Sequence, residues 1–204
     1  MSRTAPRPTK PAKVVSIHER AFDNLRFIRE TMERAGAFTA VPGWGGILMG
    51  VSALLTAFLT AKLPSRELWF EAWIGEALLA FAIGLFAMIQ KSKAIKAPLL
   101  YGPGRKFALS LLPPMLAGAV LTIYLYKYAL YDVVPGMWLI LYGVAVMTGG
   151  AFSVNVVPLM GMSFMALGTA ALFSPQEWAN LYMGVGFGGL QILFGAIIAR
   201  RYGG

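Results

Sequence analysis

From Trp44 to Ala199 the chain alternates long apolar runs with short polar breaks. Crossing a hydrocarbon core of about 30 Å takes roughly 20 apolar residues in a helix, so runs of this length read as transmembrane helices. The pattern predicts six, at about 44–61, 68–90, 107–130, 136–152, 156–173 and 175–199. Turn residues separate them: Lys62, Pro64 and Ser65, then the basic stretch 91–106 with Tyr101-Gly102-Pro103-Gly104, then Asn155 and Pro158. Ser174-Pro175-Gln176-Glu177 reads as a capping box with proline at the first helical position, opening span six. Pro113-Pro114 predicts a kink in span three, and Tyr124, Tyr126, Tyr128 and Tyr131 crowd its far end as an interfacial aromatic belt. A five-span arrangement, with spans four and five as a re-entrant pair, is the alternative.

Upstream the period changes. Ile17, Ala21, Leu25, Ile28, Met32 and Ala35 recur every three or four residues, behind a capping box at Ser16 and Glu19. This predicts an amphipathic helix over 16–37, either lying on the inner leaflet or docking against the cytoplasmic ends of the bundle, a second copy or a cytoplasmic protein partner. Residues 1–15, rich in proline and lysine, predict a disordered basic tail without a signal-peptide apolar core. The fold class expected is therefore an all-α integral membrane protein of about six spans preceded by an amphipathic helix.

Charge orients it. Of eighteen Lys and Arg residues, only Lys62, Arg66 and Lys127 fall on one side of the six-span arrangement; the rest lie before span one, between spans two and three, or after span six. By the positive-inside rule both termini are cytoplasmic, which suits a bacterial inner membrane. The net charge of +9 thus reflects cytoplasmic flanks facing anionic headgroups and predicts no nucleic-acid partner. With 57% hydrophobic and 13% charged residues, the composition departs from the roughly 25% charged residues of soluble domains. The chain has no cysteine, so thiolate chemistry is absent.

A repeat is visible in the spans. Val41-Pro42-Gly43 leads to Ile47-Leu48, Gly50 and Val51, and at an offset of 93 Val134-Pro135-Gly136 leads to Ile140-Leu141, Gly143 and Val144. Gly75, Ala77 and Leu79 match Gly168, Ala170 and Leu172 at the same offset. Two three-span halves would insert with opposite topology, an inverted repeat that in transporters places a site near the midplane. The same repeat also fits a duplicated scaffold with no site.

Candidate chemistry centres on Glu76, a few residues from the middle of span two, where a carboxylate is expensive and faces the bundle interior. It reads either as a proton or cation site or as a hydrogen-bonded acid joining two helices. Gln191, Thr169 and Asn155 are the candidate polar neighbours, while Glu71 and Lys127, at similar depth, form a candidate structural pair. Gly184 and Gly188 form a GxxxG in span six, and with Gly46 and Gly50 they mark small-residue faces for helix packing, expected at a homodimer interface. Alternatively the span-six glycines break the helix around a ligand.

Several classes are excluded. His18 is the only histidine and lies before the spans, which removes haem, zinc and intramembrane Ser-His chemistry. No cofactor or metal is expected, and the chain does not read as an enzyme. Two functions remain: a small transporter or channel-like protein with an ionisable midplane site, or an accessory or sensor module acting through residues 16–37.

Overall fold

In a computed structural model, residues 24, 25, 28, 38–96, 99 and 102–203 are described, and the account below is of these. The tail at 1–15 and most of the amphipathic segment at 16–37 lie outside them; Asn24, Leu25 and Ile28 are helical. The residues from 37 onward form a compact unit of their own. This unit is an all-α membrane protein: α1 (Gly43–Thr60), α2 (Arg66–Ala94), α3 (Gly102–Lys127), α4 (Val134–Gly150), α5 (Val156–Leu172) and α6 (Gln176–Tyr202). Five of these are long and apolar enough to cross a bilayer, α4 with the preceding turn from Tyr131. The sixth, α5, has 17 residues and is about 26 Å long at 1.5 Å per residue.

The chain's punctuation sets the helix ends. Pro42 precedes α1, and Pro135 sits in the first turn of α4, where its missing N–H costs nothing. Ser65 caps α2 by accepting from the Leu68 amide. Ser174 does not cap α6 as the sequence suggests; its hydroxyl donates back to the Ala170 carbonyl, and Pro175 takes the capping position. Pro113 and Pro114 both lie inside α3. Pro114 leaves the Ser110 carbonyl without its helical donor, and the Thr148 hydroxyl of α4 lies 3.0 Å from that oxygen.

Helix α1 has two working faces. Gly43, Gly46 and Gly50 lie against α6, where a Cβ at Gly43 would meet the Ala199 backbone at 2.3 Å and one at Gly50 the Gly188 carbonyl at 2.8 Å. The other face, Gly45, Met49, Ser52 and Thr56, lies against α2. Helices α4 and α5 form an equally close pair: a Cβ at Gly143 would come within 2.7 Å of the Gly161 carbonyl. Only small residues allow such backbone approach, which is the main source of helix affinity where lipid removes the hydrophobic drive.

The core follows these contacts. Leu139, Val157, Met160, Phe164 and Phe194 fill the space between α4, α5 and α6. Phe70, Leu125, Val134 and Met137 gather α2, α3 and α4 at one end. At the other end the entry segment carries Phe38 and Ala40 against Phe107, and the Phe38 amide donates to the Phe152 carbonyl at 2.7 Å. The Ser153 hydroxyl returns a bond to the Phe38 carbonyl, also at 2.7 Å.

Two features depart from the expected spans. Helix α2 runs on through Lys91 and Lys93, which the sequence places in a loop, and Lys91 is buried. Its ammonium donates to the Val41 carbonyl at 2.9 Å, the Tyr202 carbonyl at 3.2 Å and the Gly203 carbonyl. Three donors meet three acceptors, two of them at the negative end of α6, which offsets part of the cost of burying the charge. Helix α6 is unbroken but changes winding. It is α-helical over Ala179–Met183, a π-helix over Gly184–Leu190 and α-helical again over Gln191–Tyr202. Such wide turns are rare and frequently lie at functional sites.

Candidate functional site

The site is built where α1, α2 and α6 meet. Glu76 is 6% exposed, on the face of α2 that meets α1. The Ser52 hydroxyl donates to its Oε1 at 2.7 Å, and the Thr56 hydroxyl donates to its Oε2 at 3.1 Å. Ser52 and Thr56 are one helical turn apart, so one face of α1 presents both hydroxyls to one carboxyl. Ser52 Oγ also lies 2.8 Å from the Met49 carbonyl. A hydroxyl has a single proton, so Ser52 faces two acceptors and satisfies one at a time. Among the described residues no Lys or Arg pairs with Glu76.

A second polar knot lies beyond it, towards the turn at 62–65. Asn180 Oδ1 accepts from the Thr60 hydroxyl at 2.9 Å, Trp69 Nε1 at 3.0 Å and Trp73 Nε1 at 3.3 Å. Its Nδ2 donates to the Ala57 carbonyl at 2.7 Å. Thr60 in turn lies 2.8 Å from the Thr56 carbonyl. One amide thus ties together three helices, and the α1 and α2 residues in the knot are within two turns of Thr56 or Glu76. Sequence reasoning passed over Asn180, Thr60, Ser52 and Thr56. The available signal was their register: Ser52, Thr56 and Thr60 recur every four residues on α1.

The expected midplane cluster does not assemble as one site. Gln191 is buried, but its partner is the Tyr142 hydroxyl of α4, which donates to Oε1 at 3.1 Å. Thr169 is exposed and donates to the Met165 carbonyl of its own helix. Asn155 is exposed at the start of α5 and makes no capping bond. Glu71 and Lys127 are not brought together: Lys127 Nζ sits 5.5 Å from the Tyr128 ring centroid. The ion pair at that end of the bundle is Arg66 with Asp132, and Arg66 also donates to Gln176, joining the starts of α2 and α6 to the turn before α4.

The glycines named from sequence do meet, but within the chain. Gly50 lies on Gly188, Gly46 on Gly195 and Gly184 on Ala57. These faces are therefore filled by α1 and α6 themselves and are not open to a second copy. A cavity of about 240 Å³ opens among Asp132, Pro135, Leu172, Ser174 and Gln176, away from Glu76. Among the described residues no three His, Cys, Asp or Glu side chains gather as metal ligands.

Compared with family models, curated proteins and solved structures, the chain matches none.

Proposed function

We propose that this multi-pass membrane protein is a small proton-linked transporter or channel-like protein in which Glu76 takes up and releases a proton inside the bilayer. The observation that carries the reading is the Ser52 hydroxyl, poised between the Met49 carbonyl and Glu76 Oε1. With Glu76 ionised, Ser52 donates to Oε1. With Glu76 neutral, the acid donates to Ser52 and Ser52 donates to Met49. The two arrangements differ by one proton and the rotation of one hydroxyl, and neither leaves a buried polar atom unpaired. An intramembrane carboxyl without a cationic partner is otherwise hard to retain. Following the charge bias, the Lys91 end faces the cytoplasm of an inner membrane.

A second reading has its own support. Both carboxyl oxygens are satisfied by the adjacent helix, so Glu76 also works as a clasp between α1 and α2 in a non-transporting module that acts through residues 16–37. Proton flux into liposomes containing the full chain, read with an internal pH dye, separates the two. The transport reading expects Glu76→Gln to abolish flux with little change in melting temperature, and Glu76→Asp to retain part of it. Unchanged flux in Glu76→Gln, together with loss of the cellular phenotype on deleting residues 1–37, favours the module. A homodimer, in either case, has the exposed apolar faces of α2 and α3 to use.

A further inference from the structure

Resting on the assignment of Glu76 as a proton site, we propose that in the conformation of this structure its access is one-sided: Thr60 and Asn180 are positioning residues that connect it to the end of the bundle bearing the 62–65 turn. On that side a polar side chain recurs on each successive turn of α1. Thr56 binds the carboxyl, Thr60 follows one turn higher against the Thr56 carbonyl, and Asn180 with the Trp69 and Trp73 indoles closes the column. Each four-residue step along α1 rises about 6 Å, so Ser52, Thr56 and Thr60 carry hydroxyls from the level of Glu76 to the helix end.

The opposite direction is sealed. Below Glu76 the α1–α2 contact is made of Gly84 on the Met49 sulfur and Gly45 on the Ala87 methyl, approaches too close for water. Beyond these, the Lys91 ammonium binds the entrance of α1 and the end of α6 together. Polar side chains therefore recur along the half of the interface towards the 62–65 turn, whereas the stretch between Met49 and Ala87 offers water and protons only apolar contacts.

Dicyclohexylcarbodiimide tests this in sealed vesicles of each orientation, with internal and external pH set independently. The neutral acid adds across a C=N bond of the reagent, its proton going to nitrogen and its oxygen to the central carbon. The O-acylisourea then rearranges to an N-acylurea that mass spectrometry locates on Glu76. The labelling rate is expected to fall as the 62–65 side is made alkaline and to ignore the pH at the Lys91 end. Thr60→Val is expected to slow labelling about fivefold, the equivalent of one lost hydrogen bond, and Thr60→Ser to restore it. Asn180→Asp, which keeps the acceptor oxygen, is expected to remain sided. A merely structural Thr60 would shift the melting temperature without slowing the labelling, and that outcome overturns its positioning role. A rate governed by the Lys91 side, or by both sides equally, overturns one-sided access while Glu76 stays a proton site. If no pH produces an infrared band of the protonated acid that Glu76→Gln removes, the proton site itself falls, and the access route with it.

Discussion

Helices α1 and α4 begin with the same motif and use it differently. In α4, Gly136 and Gly143 seat the helix on α5, its neighbour in sequence, where their missing side chains admit Leu172 and the Gly161 carbonyl. In α1, the corresponding Gly43 and Gly50 seat the helix on α6, at the far end of the chain, leaving another face for α2. The glycine register is repeated, but the partners are not equivalent. As a result the α4–α5 pair is apolar and backbone-close, and α4 buries most of its apolar surface. The α1–α2 contact instead carries hydroxyls and an acid, and α2 leaves most of its apolar surface exposed. One pair has the features of a scaffold. The other holds its helices by hydrogen bonds to one acid.

The contrast is sharpest under overpacking. Gly143→Ala drives a methyl to 2.7 Å from the Gly161 carbonyl and 2.8 Å from the Met165 amide, backbone atoms that move only with the whole helix. A loss of about 3 kcal/mol is expected, at the upper end for overpacked cores. Gly84→Ala in α2 meets only the Met49 sulfur, the end of a flexible side chain. There the helix propensity of alanine, worth about 1 kcal/mol, offsets the contact and stability stays near the parent. Thermal unfolding in one detergent compares the two directly; equal losses would remove the distinction between scaffold and clasp.

A smaller effect separates the polar contacts. Asn180→Leu strips the acceptor from Thr60, Trp69 and Trp73 and the donor from Ala57, and is expected to cost about 2 kcal/mol with a shift in tryptophan emission. Gln191→Leu removes the one acceptor of Tyr142 and is expected to cost about 0.6 kcal/mol, typical of a single intramembrane hydrogen bond. A larger loss for Gln191 would place the energetic centre of α6 in the second half of the chain.

Depth in the membrane was legible in the sequence and direction around each helix was not. Hydropathy located the spans, and the cost of a carboxyl at mid-span singled out Glu76, because both depend only on position along a helix. Glu71 and Lys127 share a depth but face different neighbours, and nothing in their spacing reveals the angle between two helices. Thr169 satisfies itself on its own backbone and points outward, as threonine does readily in a helix. Asn180 was missed because its value lies in three helices converging on it. Lys91 was read as a loop residue because a charge normally ends an apolar run; the carbonyls at the end of α6 allow α2 to continue through it. The glycines were legible as a packing face, and only the fold shows that their partner is the same chain.

An effect of opposite sign concerns the π-helical turn. A Cβ at Gly186 would lie 2.3 Å from a Leu139 methyl and one at Gly188 2.4 Å from a Leu54 methyl, whereas a Cβ at Gly189 meets nothing within 4 Å. Alanine at Gly189 therefore gains its helix preference without a contact to oppose it, and Gly189→Ala is expected to stabilise the protein by up to about 1 kcal/mol. Gly186→Ala, which displaces Leu139 from a fully buried position, is expected to destabilise it. The pair tests whether the wide turn is held by its neighbours or by its own flexibility. If Gly189→Ala is also slower in proton flux while more stable, the turn works as a hinge between the half of α6 tied to Asn180 and the half tied to Tyr142 and Lys91. A loss of stability at Gly189 would instead mean that its open side is covered in the membrane by another chain.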